Sequence, residues 1–396
     1  MSLVLVTRWL YDGTAPDAVE HAALTIEDGI IADVSAVRPG EEPEGAIHLP
    51  DATAMPGMVD CHVHLPFDGS ADPVAATLAL SVPEATLQAA HNARTILRQG
   101  VTTIRDVSSP HGIAIAVRDA VAAGRLEGPD VRPCGTHLTI TGGHGCAFGL
   151  EVDSIDQIRT AVRSQIKAGA DAIKVMATGG VYSLRQSPED VQFNVEELRA
   201  LIDTAHERDL TVAAHAEGED GIRATLDAGI DTVEHGNQLT PELAGRMREQ
   251  GTFLVPTVGA FTSVAAHDDL PGPFLRKARE LVESTRNALQ YAREHGVRVA
   301  IGTDVGTAPH LAWENHVAAK ETAYLVDMGK FTPVEALRAA TANGAAALRV
   351  DDRKGRLAAG MDADVLVVAG NASRDIGALE RPLLVVKGGR VVFRAA

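Results

Sequence analysis

At 396 residues, with 45% hydrophobic and 22% charged residues, the chain is too long for one small domain and has the make-up of a globular enzyme rather than a disordered or fibrous chain. A net charge of −17 without a basic block excludes nucleic acid and anionic membrane surfaces as partners and leaves a small molecule or a dipeptide-like substrate. No run reaches the roughly 18 apolar residues of a membrane span, so no membrane association is expected.

The N-terminal stretch is apolar but Arg8 interrupts it, and no small-residue cleavage site follows. The cysteines Cys61, Cys134 and Cys146 form neither an even framework nor a CxxC pair, which fits free thiols in a reducing compartment. A cytoplasmic protein is expected, with a homo-oligomer as its assembly. Residues 3–6 and 22–34 read as short strands, the latter turning at Asp28-Gly29. Residues 363–370 and 383–393 have the same character, turning at Gly388-Gly389. Neither end has enough strands for a stable sheet, so residues 1–54 and 346–396 are expected to pair into one small β-sandwich domain.

Between them, residues 55–345 alternate strands with helices. Apolar strand candidates cover 55–65, 101–107, 131–140, 172–177, 210–215, 232–235, 253–258 and 297–304. Helix starts are marked by Ser154 with Gln157, by Thr332 with Glu335, and by Asn194 ahead of an amphipathic run. Gly100, Gly169, Gly229 and Gly296 fall where helices end, just before strands. The pattern predicts an α/β fold, a (β/α)₈ TIM barrel whose active site lies at the C-terminal ends of the strands. An open doubly wound sheet lacks support, because no GxGxxG follows the first strand.

Metal-competent residues gather at those strand ends. His62 and His64 close the first strand and share a face, because strand side chains alternate. Lys174 lies in the fourth between apolar neighbours; His215 ends the fifth, His235 the sixth and Asp304 the eighth. Any one of these has an ordinary structural explanation. Their joint position at one mouth points to a metal site.

This pattern resembles the amidohydrolase superfamily: HxH on strand one, Lys on four, His on five and six, Asp on eight. The resemblance extends through GRLAAGMDADVLVV at 355–368, and ITGGHG at 140–145 with IKVMATGGV at 173–181 is similar to the imidazolonepropionase-related branch that contains Xaa-Pro dipeptidases. The resemblance implies two divalent metal ions, expected to be zinc, and a Lys174 carboxylated by CO₂ that bridges them. A desolvated lysine has a depressed pKa, and its neutral amine can add CO₂. One metal would take His62, His64 and Asp304, the other His215 and His235, with the carbamate shared.

The implied reaction is hydrolysis of an amide bond, peptide or N-acyl, by a metal-bridging hydroxide, with Asp304 moving the proton. His144, in the GGHG loop, and Tyr182 are candidates for holding the substrate carbonyl oxygen, and Arg185 for clamping a substrate carboxylate. Phe148 and Phe261 could furnish an apolar wall. The residues after GGHG, Cys146 to Gly149, depart from the polar continuation of dipeptidase relatives and leave room for a carbamate or urea. A cyclic-amide hydrolase or deaminase with one metal is a further alternative, against which Lys174 argues. More remote readings are a lactonase or phosphotriesterase, or an inactive metal-binding scaffold.

Overall fold

A computed structural model describes residues 2–38, 40–41, 43–181, 186–266 and 272–395. Its centre is a ring of eight parallel strands: β1 (Met58–Val63), β2 (Val101–Asp106), β3 (Asp130–Pro133), β4 (Ala172–Met176), β5 (Thr211–Ala216), β6 (Thr232–His235), β7 (Phe253–Val255) and β8 (Arg298–Val299). Neighbours pair in that order from β1 to β3 and from β4 to β8. Asp171 N–H donates to Pro133 O (2.8 Å), joining β3 to β4. Cys61 N–H donates to Ile301 O (2.9 Å), and Val63 bridges Val305, closing the ring between β8 and β1. This is the connectivity of a (β/α)₈ barrel.

Covered on both faces, these strands lack the apolar–polar alternation of a half-exposed sheet; every residue of β1, β2, β4, β5, β6 and β7 is buried. Alternation survives in the division of labour. Ile173, Val175, Val212 and Val233 join the apolar core with Leu198, Leu201 and Leu226 of the surrounding helices. Arg105, Lys174 and Glu234 fall on the opposite parity, inside the ring.

Helix starts follow the expected chemistry. Asn194 and Thr332 cap helices Val195–His206 and Pro333–Ala339 in capping boxes with Glu197 and Glu335, and Ser154 accepts the Gln157 N–H. Gly169 and Gly229 end their helices with φ of +98° and +90°.

The chain ends form one seven-stranded sheet in the order Arg390–Arg394, Pro382–Lys387, Val365–Ala369, Ile47–Pro56, Ser2–Leu10, Val19–Glu27, Ile30–Ala36. Its own apolar cluster includes Leu5, Leu24, Ile26, Val365 and Val386. Two expected strands are subdivided. The first candidate breaks at Gly57: Met55 and Pro56 pair with Val365–Ala369 in the terminal sheet, and the barrel strand starts at Met58. The third breaks after Pro133, where Gly135 takes φ +70°, and Leu138–Thr139 forms a separate short strand beside β4. No helix among the described residues is long and apolar enough to cross a membrane.

Candidate metal centre

His62, His64, Lys174, His215, His235 and Asp304 all line one cavity of about 1000 Å³. His62 Nε2 and His64 Nε2 lie 3.6 and 3.2 Å from Asp304 Oδ1, and one donor atom from each of the three residues falls within a 4.8 Å group. The His62 and His235 rings are 5.1 Å apart, and those of His215 and His235 4.5 Å. Two donors sit on left-handed backbone, His235 at φ +71° and Asp304 at +54°; non-glycine residues adopt this only when their surroundings hold them there.

Each imidazole has one nitrogen engaged by a fixed partner, which leaves the other for a ligand. His62 Nδ1 meets Glu234 Oε2 at 2.7 Å, His235 Nδ1 meets Thr257 Oγ1 at 2.6 Å, and His215 Nε2 meets Gly179 O at 2.9 Å. His64 Nδ1 faces Ser108 O at 3.4 Å. Burial, reinforced by the Lys174 charge, pushes His62 down to about 4. Burial also holds His215 and His235 well below the usual histidine range, reinforced by His144 and by His62 respectively. At neutral pH all three are uncharged and carry lone pairs.

Lys174 is 1% exposed, and its Nζ has no hydrogen-bond partner. Burial brings it down to about 8, against the opposing pull of Glu234 and Asp304. Burial alone would raise the Asp304 carboxyl, but His62, His64 and His235 outweigh it and hold the group well below the carboxylate range. Its Oδ1 also lacks a hydrogen-bond partner. A buried amine and a buried carboxylate oxygen, both unpaired beside neutral imidazoles, fit a donor set for divalent cations.

Several residues that sequence reasoning missed complete the site. Glu234 accepts from Arg105 Nη2 at 2.7 Å while holding His62, and all three side chains are buried. Asp60 fastens β1 to the β8 end by accepting from the N–H of Thr303 and, at 2.7 Å, from its hydroxyl. Thr257, at φ +47°, is held through Glu321, whose carboxylate accepts the N–H groups of Val258 (2.7 Å) and Gly259 (2.8 Å). Glu217, two residues beyond His215, lines the cavity. Arg105 and Glu234 could have been found by the argument that singled out Lys174, since each is a charge in an apolar barrel strand.

The ring of His144 stacks on His215 (4.4 Å between centroids, 26° between planes), and its backbone N–H meets the side-chain amide of Gln192. Burial, with Lys174 nearby, brings His144 down to about 4. Phe148 and Phe261 line the same cavity. Tyr182 and Arg185 lie outside the described residues.

A family model described as the amidohydrolase family matches residues 53–392. The chain belongs to the amidohydrolase family. Ochratoxinase of Aspergillus niger is 32% identical, with 95% of this chain and 83% of the relative covered. A crystal structure of a Xaa-Pro dipeptidase with methionine bound superposes with a TM-score of 0.90 at 30% identity, covering 99% of each chain. A prolidase complexed with N-methylphosphonate-L-proline gives 0.89 at 29% identity, covering 100% of each. This amidohydrolase is a hydrolase acting on carbon–nitrogen bonds.

Proposed function

We propose that this amidohydrolase is a metal-dependent enzyme that cleaves the amide bond of a dipeptide or an N-acyl compound. The observation that carries the reading is the unpaired, buried Lys174 amine set among four imidazoles and Asp304. His62, His64 and Asp304 would hold one divalent cation and His215 and His235 a second, zinc being the ion that suits nitrogen and oxygen donors around an open position. Addition of CO₂ to the neutral Lys174 amine, with loss of a proton, would give both cations a shared anionic ligand. When bound, the cations would polarise the scissile carbonyl and lower the pKa of water towards about 7.

The chain supplies the rest. Asp304 accepts the proton of the attacking water on the carboxylate oxygen not given to the cation and passes it to the departing amine. His144, fixed by its stack on His215, holds the substrate carbonyl oxygen. Tyr182 is a second candidate for that oxygen, and Arg185 for a substrate carboxylate. The names of the Xaa-Pro dipeptidase and prolidase relatives support a peptide-like substrate.

A carbamate or urea is the second reading. It is favoured because Lys174 is the only lysine or arginine among the described residues that line the cavity. Assay of the zinc-loaded protein against Xaa-Pro dipeptides, N-acyl amino acids and simple carbamates separates the two. Amide hydrolysis that stops when a chelator removes the metal is expected. Cleavage of lactones or phosphotriesters alone overturns the amidase reading.

A further inference from the structure

The cavity contains one buried acidic side chain, Glu217, for which the proposed reaction has no use. His215 and Glu217 are two residues apart at the end of β5 and so point the same way, into the mouth. The Glu217 main chain is fixed on both sides: its N–H donates to Thr178 Oγ1 (3.1 Å) and its carbonyl accepts from the Gln238 N–H (3.0 Å). The side chain is less well served. It is 2% exposed, its Oε2 has no hydrogen-bond partner, and its Oε1 lies 3.5 Å from a His215 Nε2 that is already engaged by Gly179 O.

The charged groups acting on Glu217 are Asp304 and Glu189, both anionic, and Lys277, which donates to Gln186 O at 2.5 Å. Met176, Val181 and Phe261 line the same cavity and offer no polar hydrogen. A buried carboxyl oxygen without a donor is costly, and a ligand that brings donors to it recovers that cost. An ammonium group brings three.

We propose that Glu217 forms the subsite for a positively charged amine on the substrate, so that the enzyme prefers amides bearing a free amino group over the same amides without one. The inference rests on the hydrolase reading for its catalytic consequence, but binding tests it separately. The amine donates to the open Oε2, and the apolar wall takes the side chain attached to it. A substrate whose amine is acylated leaves the carboxylate unanswered.

The probes are L-phenylalaninamide and 3-phenylpropanamide, which differ only in the amino group, each titrated calorimetrically into the zinc-loaded protein and assayed for ammonia release. Wild type is expected to bind the aminoamide at least about tenfold more tightly, a difference that Glu217→Gln abolishes and Glu217→Asp partly keeps. Metal content and thermal midpoint are followed in all three proteins. Equal binding of the two amides by wild type overturns the proposal. So does a Glu217→Gln protein that weakens both amides alike or loses metal, since Glu217 would then serve His215 rather than the ligand. A binding preference without ammonia release upholds the subsite and counts against the hydrolase reading. Ammonia release without a preference does the reverse.

Discussion

Lys174 derives its proposed chemistry from its burial and from the lack of any partner for its amine. Lys174→Ala is expected to lower amide hydrolysis by at least about 100-fold, and a short carboxylic acid such as propionate to restore part of it by replacing the lost anionic ligand. Full activity of Lys174→Ala would remove the bridging role. The pH dependence has a definite sign. With Lys174 brought down to about 8, the free base that CO₂ attacks grows from about 3% at pH 6.5 to about three-quarters at pH 8.5. Reactivation of the metal-free protein with zinc at equal dissolved CO₂ should therefore be roughly 25-fold faster at pH 8.5, measured by recovery of hydrolysis, and equal rates at both would contradict it. Glu234 is tied to both His62 and Arg105, and Glu234→Gln leaves Arg105 buried without a counter-charge. A loss of about 3 kcal/mol in denaturant unfolding is expected, together with zinc affinity about 10- to 100-fold weaker.

The strand ends deliver the donors, and the loops that follow them set how each side chain is held. The GGHG loop packs its last glycine on the buried His137: a Cβ at Gly145, where φ is +70°, would come within 2.6 Å of His137 Nε2. Gly145→Ala should cost about 1 to 2 kcal/mol of stability and lower kcat by displacing His144 while zinc content holds, as thermal unfolding and metal analysis would show. Unchanged kcat would detach His144 from the reaction. Much of this layer was legible in the sequence because burial leaves a signature: Lys174 stood out against Ile173 and Val175, and the capping residues Asn194 and Thr332 announce their helices. What was not legible depends on distance along the chain. Glu234 meets Arg105 across 129 residues, and neither residue type alone specifies that encounter. The third strand looked continuous because Cys134, Leu138 and Ile140 are apolar, yet the turn at Gly135 redirects the chain.

Both chain ends meet under the barrel, where Lys354 lies within 2.5 to 3.0 Å of carboxylate oxygens of Asp130, Asp362 and Asp364 and joins β3 to the terminal sheet. Burial would lower its pKa, but Asp364 and Asp130 outweigh it and raise it above the usual lysine range. Lys354→Met removes the cation common to all three carboxylates, while Lys387 still pairs with Asp130 and Asp364 and Arg353 with Asp362, and should cost about 1 to 2 kcal/mol, read as a lower thermal midpoint with zinc content unchanged. A second cavity of about 610 Å³ opens beside this network, and Arg118 with Asp171 and Lys387 with Asp130 pair within its lining, which gives it a structural character. We propose that residues 1–54 and 346–396 form a unit of their own, built on the one seven-stranded sheet, with 55–345 as the barrel. Fold class was readable from the alternation of strands and helices; the single sheet made by the two ends was readable only as a need, since neither end could close a sheet alone.

The proposed hydrolysis depends on one set of side chains holding two cations, and elemental analysis of the wild-type protein beside Lys174→Ala tests this most directly. Two zinc ions per chain in the wild type, falling to one or none when the lysine is removed, is the predicted result. One ion or none in a fully zinc-supplied wild type, or an undiminished pair in the variant, would contradict it.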